Sequence, residues 1–259
     1  MTLRSRVLDL LPAWLAEKVP RDHWESDAAF RRRRRVVAGT SLVGAGLLGA
    51  SLSREPDSPA FYGLTLATAG TWVAGGLASG KLHLGHMPDV WKHGPDLRRP
   101  VLTPVLLGVG AFGLFYGAAL VARRIPVLER AIAGVLSYAD EGDDRLVLFT
   151  TLANGAAEEV FFRGALYAAI GVRQPVATST GVYVLATVAT RNPALVLAAG
   201  VMGTLFGLQR RATGGIQAPL LTHLTWSTLM LRYLPPLFRD SPTNSDRPAS
   251  RRSTSESSE

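Results

Sequence analysis

The chain has 259 residues, is 47% hydrophobic, carries a formal net charge of +8 and contains no cysteine. Its mean hydropathy of +0.16 is high for a soluble domain with so much charge, unless the charges are segregated. They are segregated: arginines fill positions 31–35, and the other charges fall in short clusters between apolar blocks. The absence of cysteine excludes a disulfide framework, a thiolate metal site and a thiol nucleophile. No basic face with interleaved aromatic residues is present, so the sequence predicts no nucleic-acid partner.

Residues 1–35 form a basic N-terminal arm that contains the amphipathic stretch VLDLLPAWLAEKV. This stretch either rests on a membrane surface or belongs to a loosely ordered cytoplasmic arm. Three apolar blocks follow, and each is about long enough, at roughly 1.5 Å rise per residue, for a helix to cross a hydrocarbon core of roughly 30 Å. They occupy residues 36–52, 60–79 and 101–122 and are separated by REPDSP and by a polar loop over 80–99.

The segment over 125–144 is short and charged, which favours a position at the membrane interface. Four further apolar blocks predict spans at residues 146–170, 176–190, 194–209 and 216–234. The predicted fold class is therefore all-α: a polytopic membrane bundle of seven transmembrane helices, or eight if 125–144 also crosses, over residues 36–238. The tail over 239–259 has the composition of a disordered polar segment.

The basic clusters predict the orientation of the bundle. Positive residues concentrate on the cytoplasmic side of membrane proteins, so the run at 31–35 predicts a cytoplasmic N-terminus. The basic loop over 80–99, Arg210 and Arg211 agree with this orientation. Arg123 and Arg124 do not, and the side of the C-terminus stays open. We expect an integral, multi-pass protein of the plasma (cytoplasmic) membrane, with the lipid bilayer as a partner.

The stretch NGAAEEVFFRG, residues 154–164, puts three charged residues inside a predicted span. One charge at mid-bilayer costs about 2.5–3.5 kcal/mol, so these charges must be paired, hydrated in a cavity or close to a helix end. Glu159 and Arg163 are four residues apart and can pair on one helix face. Glu158 lies about 100° around the helix from Glu159, so we expect it to face a polar cavity. The alternative is that all three charges lie at a helix end among lipid headgroups.

A second polar pair occurs in the last predicted span. His223 lies in APLLTHLTWSTLM, and Ser227 follows one turn later on the same face. A lone histidine on an apolar helix is more often a packing residue than a catalyst, but this one is the only histidine in the C-terminal half of the chain. A hydrated pocket that brings His223 to the Glu158 carboxylate is the arrangement that a catalytic reading requires.

These residues resemble the motifs of a known family. EEVFFRG resembles the EExxxR motif of the CAAX-protease and bacteriocin-processing (CPBP) family of glutamic intramembrane proteases, also called the abortive-infection family. GVMGTLFGLQRRATGGIQAPLLTHLTWS resembles that family's final core hairpin, which ends in HxxxN or HxxxD, and the likeness covers about residues 146–230. The resemblance implies an endopeptidase that cleaves membrane-associated peptides or proteins, including removal of the last three residues after a prenylated cysteine.

The resemblance also implies a role for each matching residue. Glu158 becomes the base that activates water, with Glu159 and Arg163 as its supporting pair, and His223 becomes the oxyanion donor. No cofactor is expected; the alternative is a divalent metal such as zinc, because Glu158, Glu159 and His223 offer carboxylate and imidazole ligands. A second group of histidines fits no usual zinc spacing and predicts a solvated loop: His83, His86 and His93.

Two positions depart from the family pattern. The FxxxH motif is represented by YVLAT, with Tyr183 for the phenylalanine and Thr187 for the histidine that helps to activate water. The HxxxN motif ends in Ser227, a shorter donor than asparagine. Loss of an acid–base group typically costs about 10²–10⁴-fold in rate. The sequence therefore leaves open an intramembrane endopeptidase and a catalytically degenerate member that acts as a membrane scaffold or peptide-binding protein; a solute transporter lacks the sign of inverted repeats.

Overall fold

The computed structural model describes residues 24–88, 97–171 and 173–239, and this part of the chain is almost entirely helical. The helices are α1 (Asp27–Ser51), α2 (Pro59–Ser79), α3 (Leu102–Ala122), α4 (Pro126–Glu141), α5 (Asp144–Glu158), a π-helical segment (Glu159–Leu166), α6 (Tyr167–Ile170), α7 (Pro175–Val188), α8 (Pro193–Thr213), α9 (Gln217–Tyr233) and α10 (Pro236–Arg239). Two-residue strands β1 (Met87–Pro88) and β2 (Leu97–Arg98) pair antiparallel. The all-α prediction is confirmed; the amphipathic N-terminal stretch, His93 and the polar tail lie outside the described residues.

Capping residues explain where several helices begin. Ser58 accepts a hydrogen bond from the Phe61 N–H just before Pro59 starts α2, and Asn192 caps α8 in the same way just before Pro193. A side-chain oxygen at the N-cap satisfies a backbone N–H that has no partner in the helix, and proline is well suited to the first helical position. REPDSP and RNP, which separate predicted spans in the sequence, therefore act as helix starts.

The first helix begins earlier than the predicted span at 36–52. Ser26 caps α1 by accepting from the Ala29 N–H, so the arginine run at 31–35 belongs to the helix. Arg33 is only 1% exposed, and it donates to the Glu25 carboxylate at 3.3 Å and lies 3.5 Å from the Ser79 hydroxyl. One arginine of the run thus faces the bundle, while its neighbours in the run are exposed.

Two described helices, α3 and α8, are long and apolar enough to cross a membrane. A core helix of a soluble protein can pass the same test, but such a helix is mostly buried. Only 17% of the most apolar window of α3 is buried, although its mean hydropathy is 2.1. A large exposed apolar surface of this kind is rare on soluble monomers and typical of contact with lipid. The remaining predicted spans are helical, but they are shorter or less apolar.

The segment from α5 to α6 occupies the centre of the bundle. It packs against α2 on one side and α9 on the other, and α1, α7 and α8 also contact it. Its aromatic residues form the main core cluster: Trp72 stacks on Phe161 with ring centroids 4.7 Å apart, and Phe162 lies beside both. The predicted span at 146–170 is therefore one continuous helical rod, but it changes to π-helical geometry over the EVFFRGAL stretch.

Two loops meet at one end of the bundle, which we call the arginine side because the run at 31–35 lies there. The loop 83–86 pairs with the turn 213–217 through three backbone hydrogen bonds of 2.8–3.0 Å. A Cβ atom on Gly215 would collide with the backbone of the first loop, so this close approach requires glycine. His83 and His86 therefore belong to a segment that is docked onto the turn between α8 and α9.

The opposite end, which we call the α4 side, is also joined by hydrogen bonds. The Tyr138 hydroxyl on α4 lies 2.9 Å from the Leu52 carbonyl and 2.7 Å from the Arg54 carbonyl. Burial raises the pKa of Tyr138, which keeps this hydroxyl protonated as a donor. The Asn192 side chain donates to the Ala131 carbonyl at 2.7 Å. α4 is thus tied to the ends of α1 and α7.

Candidate active site

Glu158 is the last residue of α5 and lies at the junction with the π-helical segment. Its side chain is 7% exposed, and each carboxylate oxygen accepts one hydrogen bond. The Asn154 amide donates to Oε1 at 2.8 Å, and the Tyr183 hydroxyl donates to Oε2 at 2.7 Å. The carboxylate therefore lies inside the bundle, as the predicted cavity position requires, and not at an exposed helix end.

Glu159 and Arg163 form the predicted pair, with Nη1 and Oε1 3.3 Å apart and both side chains fully buried. The pair has a third member that the sequence did not predict: His223 Nδ1 lies 2.8 Å from the same Glu159 oxygen. Arg163 also donates to the Gly203 carbonyl at 3.2 Å. Buried charges persist only when they are paired and hydrogen-bonded, and these contacts meet that condition in part: Glu159 Oε2 and Arg163 Nε have no hydrogen-bond partner within the described part of the chain.

The imidazole of His223 has a fixed orientation. Its ring stacks on Phe206 with centroids 4.7 Å apart and an interplanar angle of 23°. Because Nδ1 faces Glu159, Nε2 points the other way, where a Cβ on Gly155 would stand 3.4 Å from it. A carboxylate on one ring nitrogen fixes which nitrogen is presented to the reacting centre. A Cβ at this distance would be in ordinary van der Waals contact with the imidazole, so the ring packs directly against α5 at Gly155.

One cavity of about 930 Å³ joins the predicted site residues. Its lining is mostly apolar and comes from all the long helices of the bundle, and it includes polar residues of α5, α7 and α9 that we call the polar wall: Asn154, Glu158, Tyr183, Thr187, His223 and Ser227. The structure therefore brings Glu158 and His223, which are far apart in sequence, to the same space. A mostly apolar pocket with a few convergent polar groups is typical of ligand and active sites.

The two positions that depart from the family pattern behave differently. Thr187 lines the cavity, but its hydroxyl donates to the Tyr183 carbonyl one turn earlier at 2.8 Å. Its proton is used locally, so Thr187 does not replace a histidine as a donor to Glu158. Ser227 lies on the His223 side of the cavity and is 9% exposed. Tyr183, predicted only as a phenylalanine counterpart, reaches the carboxylate through its hydroxyl.

Asn154 is a site residue that sequence reasoning missed. It lies four residues before Glu158, a spacing that puts two side chains on one helix face, and the motif NGAAE therefore carried the signal. Arg210 was also missed as an interior residue: it is 3% exposed, and its Nε donates to the Arg163 carbonyl at 2.9 Å. That carbonyl belongs to the π-helical segment, so the arginine holds the segment from the side of α8.

The described side chains do not fit a catalytic metal. A zinc site of this type needs three protein ligands with fixed geometry, whereas the cavity offers Glu158 and His223. Glu159, the third residue of the predicted alternative, directs its Oε1 to Arg163 and His223. Within residues 24–88, 97–171 and 173–239, no group of three or more acidic or histidine side chains is arranged to hold a metal ion.

Comparison with known families identifies the part of the chain that holds this site. Residues 145–229 match the family model described as type II CAAX prenyl endopeptidase Rce1-like. This segment is therefore similar to the Rce1-like family. The resemblance predicted over about 146–230 is thereby confirmed, and the Rce1-like segment contains every residue of the polar wall. The family is membrane-embedded, which agrees with the exposed apolar surface of α3. No curated protein and no solved structure matches the chain.

Proposed function

We propose that the chain is an intramembrane endopeptidase of the CAAX prenyl protease type, in which Glu158 activates a water molecule that attacks a membrane-associated peptide. One observation carries the proposal: the Glu158 carboxylate is buried at the polar wall of a cavity that His223 and Ser227 also line. All three residues lie in the Rce1-like segment. The apolar remainder of the cavity suits the apolar part of a lipid-modified or membrane-inserted substrate.

The reaction uses Glu158 first as a base and then as an acid. The water oxygen attacks the peptide carbonyl carbon, and its proton passes to the Glu158 carboxylate. The oxyanion that forms accepts a hydrogen bond from His223 Nε2, while the Glu159 carboxylate beside Nδ1 holds the ring in this orientation. The C–N bond then breaks, and Glu158 returns the proton to the leaving nitrogen, which regenerates the carboxylate.

The proposal includes seven membrane crossings: α1, α2, α3, the rod from α5 to α6, α7, α8 and α9. A chain that crosses alternately brings the loops after α2 and α8 to one side, and the hydrogen bonds between 83–86 and 213–217 support this. It brings α4 and the ends of α1 and α7 to the other side, which the Tyr138 and Asn192 contacts support. The arginine side is then cytoplasmic, in a plasma membrane, with α4 at the opposite interface.

The test is a cleavage assay on the full chain purified into lipid nanodiscs. The probes are quenched peptides that end in a farnesylated CAAX sequence, and unmodified peptides of the same sequence, with products identified by mass spectrometry. We expect the wild-type chain to cleave a probe and Glu158→Gln to lose cleavage, since the amide cannot take the proton from water. Glu55→Gln, an exposed loop position, is the control and should cleave at the wild-type rate. Equal turnover by Glu158→Gln and the wild type contradicts the proposal.

A non-catalytic peptide-binding protein is the second candidate, and the Thr187 hydroxyl favours it because it is bonded to the helix backbone where the family has a histidine. This candidate predicts that the wild-type chain binds the farnesylated probe without cleaving it. It also predicts that Thr187→His introduces cleavage. Wild-type cleavage that depends on Glu158 rejects it.

A further inference from the structure

Both oxygens of the Glu158 carboxylate are held by short hydrogen bonds from different parts of the chain. Asn154 donates from the same helix one turn earlier, and Tyr183 donates from α7 at 2.7 Å. Hydrogen bonds to a charged acceptor are shorter and stronger than neutral ones, and two of them fix a carboxylate in one orientation. Glu158 held in this way also lines the cavity.

The ring of Tyr183 is itself fixed on several sides. Its centroid lies 4.7 Å from that of Phe162 and 4.7 Å from the guanidinium carbon of Arg163. A Cβ on Gly203 would stand only 3.2 Å from the Tyr183 ring, so α8 approaches the ring closely. A hydroxyl on a ring that is packed in this way is preorganised for its acceptor, because little side-chain freedom is lost when the hydrogen bond forms.

Position 183 carries phenylalanine in the family pattern, and phenylalanine has no hydroxyl. The tyrosine at position 183 is thus one departure from the family pattern. The threonine at position 187, where the pattern has histidine, is a second one. Thr187 does not substitute for that histidine as a donor, because its own proton goes to the Tyr183 carbonyl. Of the two, it is Tyr183 that reaches the acid.

We propose that Tyr183 is a positioning residue for Glu158, which together with Asn154 orients the carboxylate and compensates for the histidine missing at position 187. This inference rests on the proposed function, because it concerns how the base is held for its water. Tyr183 does not touch the substrate in this scheme: it keeps the carboxylate directed at the cavity and stabilises its charged form until the proton arrives from water.

The kinetic test compares Tyr183→Phe with the wild type in the nanodisc assay. The variant keeps the packed ring and removes only the hydroxyl, so we expect kcat to fall about 10–100-fold, within the range for loss of an assisting acid–base group, while KM changes less than about twofold. Tyr233→Phe, on the exposed end of α9, is the matched control and should keep the wild-type kcat. Adding Thr187→His to Tyr183→Phe should recover part of the lost kcat, a rescue that a purely structural role does not predict. A wild-type kcat for Tyr183→Phe overturns the inference.

A second measurement needs no cleavage and separates this inference from the proposed function. Thermal unfolding of Glu158→Leu, Tyr183→Phe and the double variant forms a double-mutant cycle. We expect the sum of the two single-variant decreases in Tm to exceed the decrease in the double variant by about 2–4 °C. A coupling free energy of about 1 kcal/mol gives a shift of this size in a chain of this length. The same cycle with Tyr233→Phe should be additive. If no probe is cleaved, the proposed function fails while a coupled cycle still supports the contact; an additive Tyr183 cycle overturns the inference.

Discussion

The helix α3 and the rod from Asp144 to Ile170 are both helical and both rich in apolar residues, yet they use them in opposite ways. In α3 the apolar side chains point outward and little of the helix is buried. In the rod nearly every residue from Gly155 to Ala169 is buried, and two charged residues, Glu159 and Arg163, are fully buried.

The difference shows how each helix is stabilised. α3 needs only a surrounding that accepts apolar surface, and its main helical partner is α9. The rod contains Glu158, Glu159 and Arg163, which no apolar solvent can accept, so it depends on groups from α7, α8 and α9 that satisfy those charges. The exposed apolar surface of α3 therefore follows from the composition of that helix alone. The candidate active site needs groups from the rod, α7, α8 and α9 together.

The largest effect should come from removing the positive charge of the rod. Arg163→Leu leaves Glu159 buried without its cation and removes the donor to the Gly203 carbonyl. Breaking a buried ion pair costs about 3–5 kcal/mol, so we expect a large fall in Tm and loss of folded chain in nanodiscs. Arg35→Leu, an exposed position of α1, is the control. A Tm within about 2 °C of the wild type for Arg163→Leu, when one kcal/mol corresponds to about 2–4 °C, would mean that the buried pair contributes little.

A somewhat smaller effect should follow when a charge is added to the apolar helix. Val109 is 47% exposed near the middle of α3, and in lipid an aspartate there has no partner. Val109→Asp should cost about 2.5–3.5 kcal/mol in membrane insertion, measured as the inserted fraction in a translocation assay. Val109→Ala is the control. Normal insertion of the aspartate variant argues that this face of α3 meets water or protein instead of lipid.

We expect the smallest effect from substitution of a glycine, and this effect should differ between the rod and α3. Gly155 stands beside the His223 imidazole, whereas Gly110 in α3 has open space around it. Gly155→Val should displace the imidazole and lower kcat about 10–100-fold, up to the lower end of what loss of an oxyanion donor costs. Gly110→Val should leave the rate of cleavage unchanged. Similar kcat values for both variants would show that the position of His223 does not limit the reaction.

Local chemistry predicted much of the fold. The polar stretches that separate predicted spans coincide with helix starts at Pro59 and Pro193, and the four-residue spacing of Glu159 and Arg163 predicted their pairing. These features depend on residues close together in the chain, where helix geometry alone sets the contact. The start of α1 at Asp27 was predicted too late because the arginine run was treated as a membrane flank, although arginine is a good helix former.

The contacts between distant residues could not be predicted in the same way. The bond from Tyr183 to Glu158 and the bond from His223 to Glu159 each join separate helices, and their formation depends on how α7 and α9 are rotated about their axes. A single sequence gives the apolar face of a helix but not that rotation to within one residue. The family pattern indicated which helices carry site residues. It gave no reason to expect a hydrogen bond from the Tyr183 hydroxyl, because the pattern has phenylalanine at that position.

The π-helical segment has a consequence for chain length. A π-helical turn contains more residues than an α-helical turn. The stretch Glu159–Leu166 therefore contains more residues per turn than a regular α-helix would. Deleting one residue from it, such as Val160, would remove part of this surplus and shorten the spacing between Glu159 and Arg163 from four residues to three. The contact between these two buried side chains would then have to form with a different helix geometry. The number of residues in this short stretch is thus as much a requirement of the molecule as their identities.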